Sequence, residues 1–166
     1  MALGFATHSD EARPIWLATQ DDWADVRARL PTAAHDFVTA TRYEPTAGKL
    51  LLVPGTDGLA GAVFGLGGKA AAARDPFLPG QLATLLPAGD WRLAGEPPAP
   101  AALAALAFLL SSYRFGRYKA GPGEPARLVC PPGVDAARVE SLANAIAFGR
   151  DLINTPANDM GPHQIE

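Results

Sequence analysis

Short apolar runs and helix-period stripes take turns along this chain, and that alternation limits the folds open to it more than any other feature. Ile15–Thr19 is an apolar run bounded by Pro14 and polar residues, which predicts a buried strand. Trp23, Val26 and Leu30 then recur at i, i+3 and i+7 before Pro31, an amphipathic helix pattern opened by Thr19 to Asp22. A second helix is expected within 33–43. Lys49–Val53 and Leu59–Leu66 flank a turn marked by Asp57-Gly58 and predict a hairpin. A short helix is expected over Phe77–Leu86, a strand over Asp90–Leu93 and another over Arg127–Cys130. Between those two strands, residues 100–114 predict a helix with Leu103, Leu106, Leu110 and Tyr113 in one stripe. The last helix is the most sharply marked. Asp135 stands at its cap, Val134 and Val139 at the two positions of a hydrophobic staple, and Val139, Leu142, Ile146 and Ile153 form its stripe. Thr155 precedes Pro156 and is pushed out of helical geometry, so the helix should end near Asn154. Strands alternating with helices imply an α/β domain with a mixed, partly parallel sheet flanked by helices.

With 166 residues the chain has the length for one sizeable core. The Pro/Gly-rich stretches 95–101 and 120–126 therefore read as connections inside that domain. A net charge of −3, with no basic cluster beyond Arg114, Arg117 and Lys119, gives no footprint for nucleic acid or an anionic membrane. The longest apolar run, 99–110, covers twelve residues against the roughly 20 a membrane span needs. The first fourteen residues lack the basic and apolar regions of a signal peptide. One cysteine, Cys130, rules out an internal disulfide and fits a reducing compartment. A cytoplasmic protein with no nucleic-acid and no membrane partner is the expectation.

Few residues suggest chemistry. FGLGGK (64–69) invites a phosphate-loop reading, because glycines let backbone N–H groups approach an anion. The dinucleotide fingerprint fails where Ala70 replaces a third glycine. The Walker pattern fails with Val63 at its first glycine and Ala70 in place of the Mg²⁺-holding hydroxyl. A glycine-rich strand end packed closely on its neighbours is the stronger reading, with ligand binding at 65–68 left open. Cys130 has no histidine base in a matching pattern, and His8, His35 and His163 show no metal-ligand spacing. Asp21-Asp22 reads as a helix start rather than a carboxylate pair. YRFGRYK (113–119) interleaves aromatics with cations and reads as packing with cation–π contact. No catalytic, cofactor-binding or metal-binding residue is assigned.

Three stretches carry a family resemblance. AFGRDLINTPANDMGP (147–162) resembles the helix exit and Asn-Thr-Pro-Ala-Asn junction of the leucine (cytosol) aminopeptidase family of metalloexopeptidases. YRFGRYK is similar to that family's Tyr-x-Phe-x-x-Tyr-Lys element. DPFLPGQLATLLPAGDWRLA (75–94) resembles its Leu-Pro-x-Gly-x-Tyr segment, with Trp91 as the aromatic. The resemblance runs from about residue 45 to 162 and implies a macro-domain-like, three-layer N-terminal domain followed by a peptidase domain. On that basis residues 1–133 are the N-terminal α/β domain, 134–154 a linking helix, and 155–166 the start of a junction to a C-terminal peptidase domain that this chain lacks. The family's two divalent metals, Zn or Mn, are held by Asp, Glu and Lys side chains in motifs such as Asn-Thr-Asp-Ala-Glu-Gly-Arg, none of which occurs here. The implied partners are that peptidase domain, peptide substrates, and further copies in a homo-oligomer, a hexamer by family resemblance.

The junction residues are Asn154, Thr155, Pro156, Asn158, Gly161 and Pro162. Pro156 stops the helix, Asn154 and Asn158 are expected to satisfy loop backbone groups, and Gly161-Pro162 turns the chain onward. The leading expectation is a non-catalytic domain of a leucyl aminopeptidase-like enzyme, inactive by itself. A nucleotide or ADP-ribose binding module using the glycine-rich loop is the alternative. A pure interaction domain presenting its last helix to partner subunits is a third.

Overall fold

The computed structural model describes residues 2–7, 11–56, 58–68, 70, 75–95, 100–118 and 123–159. The predicted alternation becomes β1 (Arg13–Ala18), α1 (Trp23–Ala28), α2 (Thr32–Ala40), β2 (Leu50–Gly55) and β3 (Gly58–Gly65). A 3₁₀ turn (Leu78–Gln81) then runs into α3 (Leu82–Leu85), followed by β4 (Gly89–Ala94), α4 (Ala101–Ser112), β5 (Ala126–Leu128) and α5 (Ala136–Asn154). The five strands form one sheet in the order β2-β3-β1-β4-β5. The β2–β3 hairpin is antiparallel, and the pairs β1–β3, β1–β4 and β4–β5 are parallel, so the sheet is mixed as expected. Asp57, expected in the hairpin turn, lies outside the described residues, as do parts of both Pro/Gly-rich connections.

β1 is the middle strand and is apolar on both faces, as a strand covered on two sides must be. Ile15 and Leu17 point to one side with Ala62, Phe64 and Trp91, where α3, α4 and α5 supply Leu82, Phe108, Leu109 and Val139. Ala18 points to the other side with Val53 and Val63, against Leu30, Ala34, Val38 and Tyr43 from the α1–α2 region. Two cores on two faces of one sheet make the three-layer α/β arrangement. Trp91, fully buried, donates its Nε1–H to the Pro87 carbonyl at 3.0 Å and carries the Arg13 guanidinium 5.4 Å from its ring.

Two helix faces differ from expectation. In α4 the buried residues are Ala104, Ala105, Ala107, Phe108 and Leu109, while Leu103, Leu106, Leu110 and Tyr113 are only half-buried. That helix is apolar almost all round, so its periodicity selects no face. The small residues go inward because the 3₁₀ turn presses on them: a Cβ built on Gly80 would stand 2.7 Å from the Ala107 carbonyl oxygen. In α5 only Val139 of the predicted stripe is buried. Ala143 and Ala147 complete the inner face, and Leu142, Ile146 and Ile153 point to solvent.

Candidate domain junction

α5 begins as its sequence specifies. The Asp135 carboxylate accepts the Arg138 N–H at 3.0 Å, Val139 is buried, and Val134 packs against the same core. Polar side chains then fasten it along its length. Asn144 brackets Leu3, accepting its N–H and donating to its carbonyl, both at 2.8 Å, and Glu140 accepts the Phe5 N–H at 2.9 Å. The same N-terminal segment runs beside β5, where the Ala6 N–H donates to the Leu128 carbonyl at 2.8 Å. Nothing in the sequence signals this strap, whose partners lie 141 residues apart.

The far end of α5 meets the loop that follows α4. Arg150 donates to the Leu110 carbonyl at 2.6 Å and lies 5.5 Å from the Tyr113 ring. The Tyr113 hydroxyl donates to Asp151 at 2.7 Å and accepts from Asn154 Nδ2 at 3.2 Å. Thr155 leaves the helix with extended backbone (φ −81°, ψ 123°), its N–H and hydroxyl both donating to the Asp151 carbonyl. A 3₁₀ turn over Ala157–Asp159 follows, closed by the Asp159 N–H on the Pro156 carbonyl at 2.9 Å, with Asn158 exposed inside it. The Tyr118 hydroxyl then donates to the Asp159 carboxylate. The segments Tyr113–Tyr118 and Asn154–Asp159, far apart in sequence, are thus one hydrogen-bonded clasp. Asn154 serves a tyrosine hydroxyl rather than loop backbone. Gly161 and Pro162 lie outside the described residues.

Burial, followed by the bond to Asp151, raises the Tyr113 hydroxyl above the ordinary tyrosine pKa. The bond to Asp159, followed by burial, does the same for Tyr118. Both therefore stay protonated, and remain donors, through neutral and moderately alkaline pH. Beside the clasp lies an open cavity of about 760 Å³, lined by Thr84, Arg114, Arg117 and Glu124 and reaching Asp151 and Thr155.

The remaining candidates resolve into structure. A Cβ on Gly65 would stand 2.2 Å from the Thr46 carbonyl oxygen, so this strand end packs against the 45–46 backbone. The N–H groups of Gly65, Leu66 and Gly67 donate to the carbonyls of Lys49, Ala18 and Pro45 and do not point at a ligand. Lys69 lies outside the described residues. Asp22 accepts the Thr19 N–H at 2.6 Å while the Thr19 hydroxyl accepts the Asp22 N–H, a reciprocal bracket at the start of α1. Burial, with Glu140 and Asp135 adding to it, pushes the Cys130 thiol up and away from nucleophilic use. His35 sits on α2 next to Asp36; His8 and His163 lie outside the described residues. Among the described residues no three His, Cys, Asp or Glu side chains converge to hold a metal ion. No described helix is long and apolar enough to cross a membrane.

A protein-family model described as the N-terminal domain of M17 aminopeptidases matches residues 12–131. Among solved structures, the crystal structure of a cytosol aminopeptidase from Coxiella burnetii is similar, with a TM-score of 0.80 and 28% identity. The match covers 95% of this chain and 34% of that one, so this chain spans about a third of that protein's length. Among curated protein sequences nothing matches.

Proposed function

Because the chain belongs to the M17 aminopeptidase family, whose N-terminal domain it forms, we propose that it is the non-catalytic part of a leucyl aminopeptidase-like enzyme releasing N-terminal residues from peptides. The observation that carries this is the family match over the α/β body, with the clasp between Tyr113–Tyr118 and Asn154–Asp159 in support. In this reading residues 1–133 are a macro-domain-like body and 134–154 a linking helix. Residues from 155 onward, Gly161 and Pro162 among them, open a junction to a peptidase domain that holds two divalent metals and supplies the Lewis acid and activated water. The chain's own residues perform no chemistry: they fix where the polypeptide leaves α5 and give the enzyme a surface for oligomer contacts in the cytoplasm. The nucleotide or ADP-ribose reading is not favoured, because the amides of Gly65, Leu66 and Gly67 that would cradle phosphate are already bonded to backbone carbonyls.

The test is an assay of the full polypeptide encoded by the gene on aminoacyl-nitroanilides. Turnover lost on chelation and restored by Mn²⁺ or Zn²⁺ is the expected result. A protein inert to every aminoacyl substrate with either metal would contradict it.

A further inference from the structure

The outward face of α5 is built against the usual rule for a surface helix, which sends large apolar residues in and charges out. Inward go Val139, Ala143 and Ala147. Outward go Leu142 (46% exposed), Ile146 (41%), Phe148 (60%) and Ile153 (84%). The only charged residues between Ser141 and Ile153 are Arg150 and Asp151, and both are engaged on the inner side with Leu110 and Tyr113. Leu142, Ile146, Gly149 and Ile153 are spaced by four, three and four, which aligns them along one side of the helix. A Cβ on Gly149 would meet nothing within 4 Å, leaving room there for a partner's backbone.

We infer that this outward face, centred on Leu142, Ile146, Gly149 and Ile153, is the seat of the peptidase part of the enzyme, met across an uncharged, apolar interface. The inference rests on the function proposed above. Three observations select this occupant. The family domain is by description the N-terminal one, and the matched cytosol aminopeptidase is about three times as long, so in such a chain most of the polypeptide follows the end of α5. The clasp of Tyr118 on Asp159 holds the departing chain at that same end. Exposure is greatest at Ile153, the apolar residue nearest the exit.

Hydrogen exchange of residues 142–153 tests this, compared between the 166-residue chain and the full gene product at several protein concentrations. The expected result is exchange at least about tenfold slower in the full product. Ile153→Lys and Gly149→Trp should each abolish the difference, and Ile153→Lys, at a position 84% exposed, should leave the thermal unfolding of the 166-residue chain unchanged. Equal exchange in both proteins, in a full product that hydrolyses aminoacyl substrates, would overturn the interface and leave the enzymatic reading standing. Slower exchange without hydrolysis would uphold the interface and remove the enzymatic reading. Protection that appears in the 166-residue chain on raising its concentration, with none added in the full product, would assign the face to a second copy. A gene ending at Glu166 would also overturn the inference.

Discussion

The chain has three tyrosines, and the structure gives each a reason to hold its proton. Tyr43 is buried, donates to the Lys49 carbonyl at 2.8 Å, and has its pKa pushed far above the ordinary value by burial. Tyr113 and Tyr118 are raised at the clasp by burial and by their carboxylate partners. Folded values above the unfolded value of roughly 10 mean that the folded chain keeps protons the unfolded chain gives up. Their contribution to stability is therefore fully present below about pH 10 and lost as pH rises through the folded values. A spectrophotometric phenolate titration should lie alkaline of free tyrosine for all three residues. Tyr118→Phe should remove one late-titrating group and loosen Asp159. Tyr113 or Tyr118 ionising at the ordinary value in the folded wild type would contradict the clasp. At this scale the sequence was partly readable. Glycines crowded near Gly65 announced a close approach, whereas the partners of Tyr113 and Tyr118 lie 38 and 41 residues away and have no local signature.

Elements were easier to read than their faces. A buried strand needs only a short apolar run between breakers, so β1, the β2–β3 hairpin, β4 and β5 all fall where the runs fall. Helix faces depend on what packs against them. α4 carries apolar residues on every side and α5 turns its larger ones outward, so neither stripe could be assigned from spacing alone. Burying a Leu, Ile or Phe is worth about 1.5–3 kcal/mol, so leaving Phe148 and Ile153 in water forgoes about 3–6 kcal/mol, a large share of a typical domain's 5–15. The two positions should respond differently to truncation in the 166-residue chain. Phe108→Ala removes a ring that is 2% exposed and should cost about 3–5 kcal/mol. Ile153→Ala should change stability by no more than about 0.5 kcal/mol. Denaturant unfolding measures both. A loss of several kcal/mol at Ile153 would mean that the face is already covered in the isolated chain.

At the scale of the whole molecule, α/β architecture followed from the alternation of elements, and the resemblance to aminopeptidases from three stretches, two of which the fold then joined. The N-terminal strap was invisible, because the Leu3 and Phe5 amides are held by side chains on α5 that lie 141 and 135 residues away. The central claim is that this chain supports catalysis without performing it. It is tested most directly by assaying the purified 166-residue chain on aminoacyl-nitroanilides with Mn²⁺ or Zn²⁺ added. No turnover above buffer is predicted, since the reading proposed above places both metals in the peptidase domain and the family's metal-holding motif does not occur in this sequence. Hydrolysis that tracks the protein peak through repurification would contradict the account.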